Sequence, residues 1–168
     1  QRRGTCRASR SDIETASGHA SSCLALDRAI GNTRGIILGL ECLSEIKLAQ
    51  DDVDGARTLL HESLPLSREI GDVFGEAMAL HHLGVIAQRA GETREAVRHV
   101  TLALGLRRDV GDKEGLASSL EALAGLATGR PSLAARLLGA VDGLRERHRL
   151  PVPGAPRPGS TAALAQAR

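Results

Sequence analysis

The chain contains no Trp and no Tyr, and Phe74 is its one aromatic residue in 168. A core without aromatics must be built from Ala, Leu, Val and Ile, each burying little area, so stability is expected to be spread over many small contacts. The same lack removes the stacking platform on which single-stranded nucleic acid is held. Lysine is scarce as well, with 2 against 20 Arg, and the formal net charge is only +2. Polyanion binding draws on a concentrated basic field. The best candidate run, Arg145, Arg147, His148 and Arg149, is interrupted by Glu146. Direct nucleic-acid binding is therefore not expected. Cys6, Cys23 and Cys42 are odd in number and lack CxxC spacing, which argues against a disulfide framework or zinc cluster and favours a reducing, cytoplasmic setting. No apolar run approaches the ~20 residues that cross a membrane, and the polar, basic N-terminus has no hydrophobic signal region. The phosphate-loop pattern GxxxxGK[ST] is missing too. The first residue is Gln1 rather than Met, which fits a fragment of a longer protein.

What is present is a ladder of glycines. Gly31, Gly71 and Gly111 are spaced 40 residues apart, and Gly35, Gly75 and Gly115 repeat that spacing. A period of this size marks stacked supersecondary units, each leaning on its neighbours. The units run 31–70, 71–110 and 111–150, preceded by a half unit at 12–30. Residues 1–11 form a polar tail expected to be disordered. The segment 151–168 is a Pro/Gly-rich tail, in which 161–168 is expected to form at most a short helix. Such an array cut in mid-unit leaves an apolar face uncovered, again as in a fragment.

Within each unit the first Gly suits the left-handed residue that ends a helix, and Asn32, Asp72 or Asp112 suits the N-cap of the next. Apolar residues then recur at helical spacing: Ile36, Leu40, Leu43; Ala79, Leu80, Leu83; Leu116, Leu120, Leu123. Turns follow at 50–54, 91–94 and 129–132, and second helices start near Val53, Glu92 and Pro131, the last a residue suited to a first helical turn. Pro65 lies inside the second helix of the first unit and predicts bent or frayed last turns. The third unit is two residues shorter before its turn, which predicts a first helix lacking part of its final turn.

The residues Leu83-Gly84, Gly91, Ala96, Val100 and Ala103 resemble the signature of tetratricopeptide (TPR) repeats. Leu43-Ser44, Asp51, Ala56, Leu60 and Ser63 match it in the first unit; Leu123-Ala124, Gly129, Ala134, Leu138 and Val141 match it in the third. The pattern departs from the family where Leu80 and Ala87 replace the usual Trp and Tyr, where Lys47 stands at the equivalent of Ala87, and in a period longer than the common 34. HEAT and armadillo repeats share the period. Small–large–small spacing and turn glycines recurring in register favour TPR. The resemblance implies an all-α, right-handed superhelical solenoid of antiparallel helix hairpins. Its Gly-Asp-x-x-Gly junctions, with Ala135–Glu146 and Pro151–Pro153, are similar to those of bacterial LuxR/MalT-like regulators and of regulators with an NB-ARC or AAA-type ATPase domain.

That resemblance implies a non-catalytic module for protein–protein interaction, placed in a larger bacterial signal-transduction ATPase or transcriptional regulator. A peptide, protein or effector, or the parent's own ATPase domain, would lie in a concave groove lined by the first helices. A free-standing adaptor, or the tail of an enzyme such as a nucleotide cyclase or kinase, is the alternative. The groove residues expected are Leu38, Glu41 and Glu45, then Met78, His81, Val85 and Gln88, then Ser118 and Glu121, with Glu41, His81 and Glu121 forming a row. No catalytic residue, metal or cofactor is expected. His81 and His82 point about 100° apart on a helix and chelate one ion poorly. His61, His99 and His148 read as solvated, and Cys23 and Cys42 as packing residues. No nucleophile with an acid/base partner is visible.

Overall fold

The computed structural model describes residues 10–151. Seven helices follow one another: α1 (Arg10–Ile30), α2 (Thr33–Ala49), α3 (Val53–Glu69), α4 (Val73–Arg89), α5 (Thr93–Asp109), α6 (Lys113–Leu126) and α7 (Pro131–His148). No strand occurs among the described residues. Each helix packs on the next, and the fold is an all-α, TPR-like solenoid. The tail expected at 1–11 is helical from Arg10, where α1 begins. The remaining N-terminal positions and the tail beyond residue 151 lie outside the described residues.

The glycine ladder has two separate causes. Gly31, Gly71 and Gly111 have φ of 68°, 67° and 74°, the left-handed region where a Cβ is costly. In the second ladder, a Cβ on Gly75 would meet Ser67 Oγ at 2.9 Å, and one on Gly115 would meet Arg107 Nε at 2.6 Å. There the previous helix lays a side chain across the start of the next one. Between the two glycines, Asn32, Asp72 and Asp112 each accept a hydrogen bond from the N–H of Gly35, Gly75 or Gly115. Such caps satisfy otherwise orphaned donors and contribute on the order of 1 kcal/mol each.

The sequence irregularities resolve differently. Pro65 leaves α3 intact: the helix continues to Glu69, and the Ile70 N–H still reaches Leu66 O. The cost falls on one bond position of an exposed helix face. The shortened third unit has the expected effect, since α6 spans 14 residues against 17 in α2 and α4. Lys47, odd for its position, donates to the N-cap Asp52 at 2.6 Å and, with the Gly55 N–H, holds that carboxyl below its usual range.

Ala56, Leu60, Ala79, Leu83 and Ile86 form one core cluster, with Leu48 of α2 and Val53 packed against it. Leu24, Leu40 and Leu43 form another, beside Leu59 and Leu66. Small residues set the spacing. A Cβ on Gly84 would lie 2.5 Å from Val100 Cγ2 and 3.3 Å from the Ala96 carbonyl, so α4 and α5 cross closely only because position 84 is bare.

Beyond neighbouring pairs, α2 also touches α4 and α4 touches α6, whereas the second helices α1, α3, α5 and α7 do not pack on one another. The stack is drawn together on the first-helix side and splayed on the other. That curvature makes α2, α4 and α6 the inner wall.

Candidate functional site

Residues four apart on a helix share a face. On the inner wall, Leu38 and Glu45 of α2 are exposed, as is Gln88 of α4, while Met78, His81, Val85, Ser118 and Glu121 are half-buried. Leu38 is 61% exposed, a large apolar side chain facing water on the concave side. Phe74, four residues before Met78, is 56% exposed and lies at the same repeat position as Arg34 and Glu114. Repeat spacing alone passes over it. Its signal in the sequence is the replacement of a charged residue by the chain's only aromatic, at a helical step from Met78.

The expected Glu–His–Glu row is not a presented row. Glu41 is 4% exposed, and its Oε1 has no hydrogen-bond partner. Burial, with Asp72 and Glu45 nearby, pushes its carboxyl up to about 8. It is therefore protonated at neutral pH and offers no charge to a groove ligand. Glu121 is half-buried and engaged by Arg145 of α7 at 2.7 Å. His81 is pushed down to about 3 by desolvation, the Arg107 charge and His82. His82 is pushed down to about 4 by desolvation and Arg107. Both rings are neutral, 5.7 Å apart and tilted by 58°. The reason is register: His81 and Glu121 turn toward Arg107 and Arg145 on the partner helix of their own hairpin, and Glu41 is buried near Asp72 at the start of α4.

Glu45 remains on the surface, with His82 Nε2 at 3.7 Å. What the wall offers is thus an apolar strip, Leu38–Phe74–Met78–Val85, edged by Glu45 and Gln88.

Elsewhere charged side chains pair locally, although Arg57 Nε and His99 Nδ1 are buried without a hydrogen-bond partner. In a cleft of about 230 Å³ that includes His61, Arg57 faces Glu92 at 3.7 Å and Arg98 pairs with Glu95 at 2.8 Å. His99 is not simply solvated: it is half-buried there, and desolvation with the Arg98 charge lowers it. Cys23 and Cys42 are exposed rather than packed. Among the described residues no group of three His, Cys, Asp or Glu side chains is placed to hold a metal ion. No described helix is long and apolar enough to cross a membrane.

Stacked hairpins with a curved inner wall and an exposed apolar strip define a helical-repeat interaction scaffold. Residues 33–109, from α2 through α5, match the family model described as Tetratricopeptide repeat. The match and the fold together support a TPR protein, and such repeats generally mediate protein–protein interaction. No curated protein matches the chain.

Proposed function

We propose that the chain is a non-catalytic binding module whose inner wall holds a protein or peptide partner. The observation that carries this reading is the pair Leu38 and Phe74, exposed at 61% and 56% on two first helices that touch. Exposed large apolar residues grouped on one concave face mark interaction surfaces, and aromatic anchors dominate their energetics. The partner fitting this wall presents apolar side chains, with a polar or basic group toward Glu45. Leu38→Lys and Phe74→Ala should each weaken partner binding at least tenfold, whereas Leu102→Lys on exposed α5 should not. Equal losses, or none, would move the interface off this wall.

We further propose that this module serves a larger bacterial cytoplasmic regulator, receiving a signal or restraining an ATPase domain until one arrives. The support is the likeness of the Gly-Asp-x-x-Gly junctions to those of such regulators. Partner binding would change superhelix curvature and so bias a two-state parent. The coding sequence upstream of Gln1 tests this. A phosphate loop and a helix-turn-helix in frame would support it; a start codon directly ahead of Gln1 would leave a free-standing adaptor.

A further inference from the structure

Two clefts, each floored by the end of a first helix and walled by second helices, occupy the same place one repeat apart. The earlier lies between α3, α4 and α5 and measures about 230 Å³; the later lies between α5, α6 and α7 and measures about 460 Å³. With the two-residue deletion allowed for, Leu83, Ile86 and Ala87 of the earlier floor become Leu123, Leu126 and Ala127. The helix that follows the earlier cleft, α6, contributes nothing to its lining. By the same register the later cleft takes its whole lining from α5, α6, α7 and the turn between the last two.

The walls differ in chemistry. In the earlier cleft they carry six ionisable side chains, Arg57, His61, Glu92, Glu95, Arg98 and His99. Arg57 faces Glu92 across the gap from α3 to α5, and Glu95 holds Arg98. The floor beneath them is covered, with Leu83 and Ile86 only 3% and 1% exposed. In the later cleft Val97 stands for Arg57, Leu133 for Glu95 and Leu137 for His99, while Arg130 stands for Glu92. The cross-cleft ion pair has become an aliphatic residue and a cation. No acidic residue lines this cleft, and the Arg130 side chain has no hydrogen-bond or ion-pair partner among the described residues. The floor is uncovered: Leu123 and Leu126 are half-buried, and Val97 and Leu133 beside them are exposed.

These differences select an occupant. Small-molecule sites measure about 300–1,000 Å³ and are mostly apolar, with a few polar groups that fix orientation. Filling this cleft takes leucine and valine side chains out of water. An arginine fork matches a carboxylate. One cation neutralises a single carboxylate but not a phosphate monoester, which carries about −1.5 to −2 charges.

We infer that the α5–α6–α7 cleft binds a small aliphatic carboxylic acid, its hydrocarbon chain against Val97, Leu123, Leu126, Leu133 and Leu137 and its carboxylate on Arg130. None of these residues belongs to the inner wall, so the site is independent of the partner-binding surface. Its ligand bridges α5 to α7, two helices that otherwise do not pack on each other, and so braces the last repeat.

The test is an amide NMR titration of the whole, isotope-labelled chain with decanoate, decanol and decylammonium, each below its micelle concentration. Decanoate should shift the Leu126 and Leu133 amides saturably and bind about tenfold more tightly than decanol, the effect of one charge-assisted contact. Decylammonium should bind more weakly than either. Arg130→Gln should bring decanoate down to the level of decanol and leave decanol unchanged. Val97→Arg with Leu133→Glu restores residue types that the earlier cleft already accommodates, so circular dichroism should show an intact fold while both ligands lose binding. Equal affinity for the three probes, decanoate binding that survives Arg130→Gln undiminished, or shifts confined to Leu38, Phe74 and Met78 of the inner wall would each overturn the assignment.

Discussion

Arg145 Nη2 donates to Glu121 Oε1 at 2.7 Å, tying α7 to α6 within the last repeat. Allowing for the two-residue deletion, the same two positions hold His81 and Arg107 in the second repeat, and Glu41 and Ser67 in the first. One structural site thus carries an ion pair, a neutral ring beside a cation, and a carboxyl with no cation. Arg107 turns to the next repeat instead. Its Nη1 donates to Gly115 O at 2.9 Å and Ser119 Oγ at 2.7 Å, bridging the second repeat to the third.

Glu41 should give the chain an unusual pH dependence. Its folded pKa, about 8, exceeds the ordinary carboxylate value of 4.5, so the folded state holds a proton that the unfolded state releases. That stabilisation is full below about pH 4.5 and lost as pH rises through 8, with a slope of at most about 1.4 kcal/mol per pH unit. His81 and His82 act at the other end, because their folded pKa values lie below 6.5 and stability falls as pH drops from 6.5 toward 4. Urea midpoints measured from pH 4 to 9 should therefore peak near pH 6.5, where the two histidines and Glu41 balance. Glu41→Gln should flatten the alkaline limb and steepen the acid limb above pH 4.5.

Ser67→Arg should supply the missing cation in place. Arg107 and Arg145 show that the site accommodates the side chain in two other repeats. A buried pair adds little net stability, so the midpoint at pH 6 should change little. At pH 8.5 it should rise above wild type, and the gain should vanish in Ser67→Arg with Glu41→Gln. A gain that persists without Glu41 would show that the arginine acts elsewhere.

Arg107→Met should uncouple the last repeat. It removes two hydrogen bonds from a charged donor, each worth about 1.5–3 kcal/mol, and leaves Ser119 buried. In a quasi-one-dimensional stack that loss stays local to the junction. Amide exchange in α6 and α7 should accelerate at least tenfold while that of α3 and α4 stays unchanged, and the His81 and His82 pKa values should rise.

Gly84→Ala should cost about 1–3 kcal/mol by overpacking Val100. Val100→Ala in the same chain should recover part of that loss, because the clash is with Val100 Cγ2. Recovery would appear as a urea midpoint above that of the single Gly84→Ala variant.

The architecture was legible because its signals are local. Positive φ at Gly31, Gly71 and Gly111, the Asn32, Asp72 and Asp112 caps, and the short α6 all follow from residue types within one turn of each feature. The site was legible only in part. Leu38, Met78 and Val85 lie on the first-helix wall, but Glu41 and Glu121 were placed there by spacing alone. A rotation of a few tens of degrees about the helix axis separates a groove position from one facing the hairpin partner, and periodicity does not resolve that angle. Arg145, 24 residues beyond Glu121, carried the missing information, and it emerges only when the repeats are overlaid with the two-residue deletion.

The most direct test of the inner wall as the binding surface is site-specific photo-crosslinking in the native host cell. A photoreactive residue replaces Leu38 or Met78 on the wall, or Leu102 on the splayed side. The account predicts one shared protein adduct, identified by mass spectrometry, from positions 38 and 78, and its absence from position 102. The same adduct forming from 102 but not from 38 or 78 would contradict it.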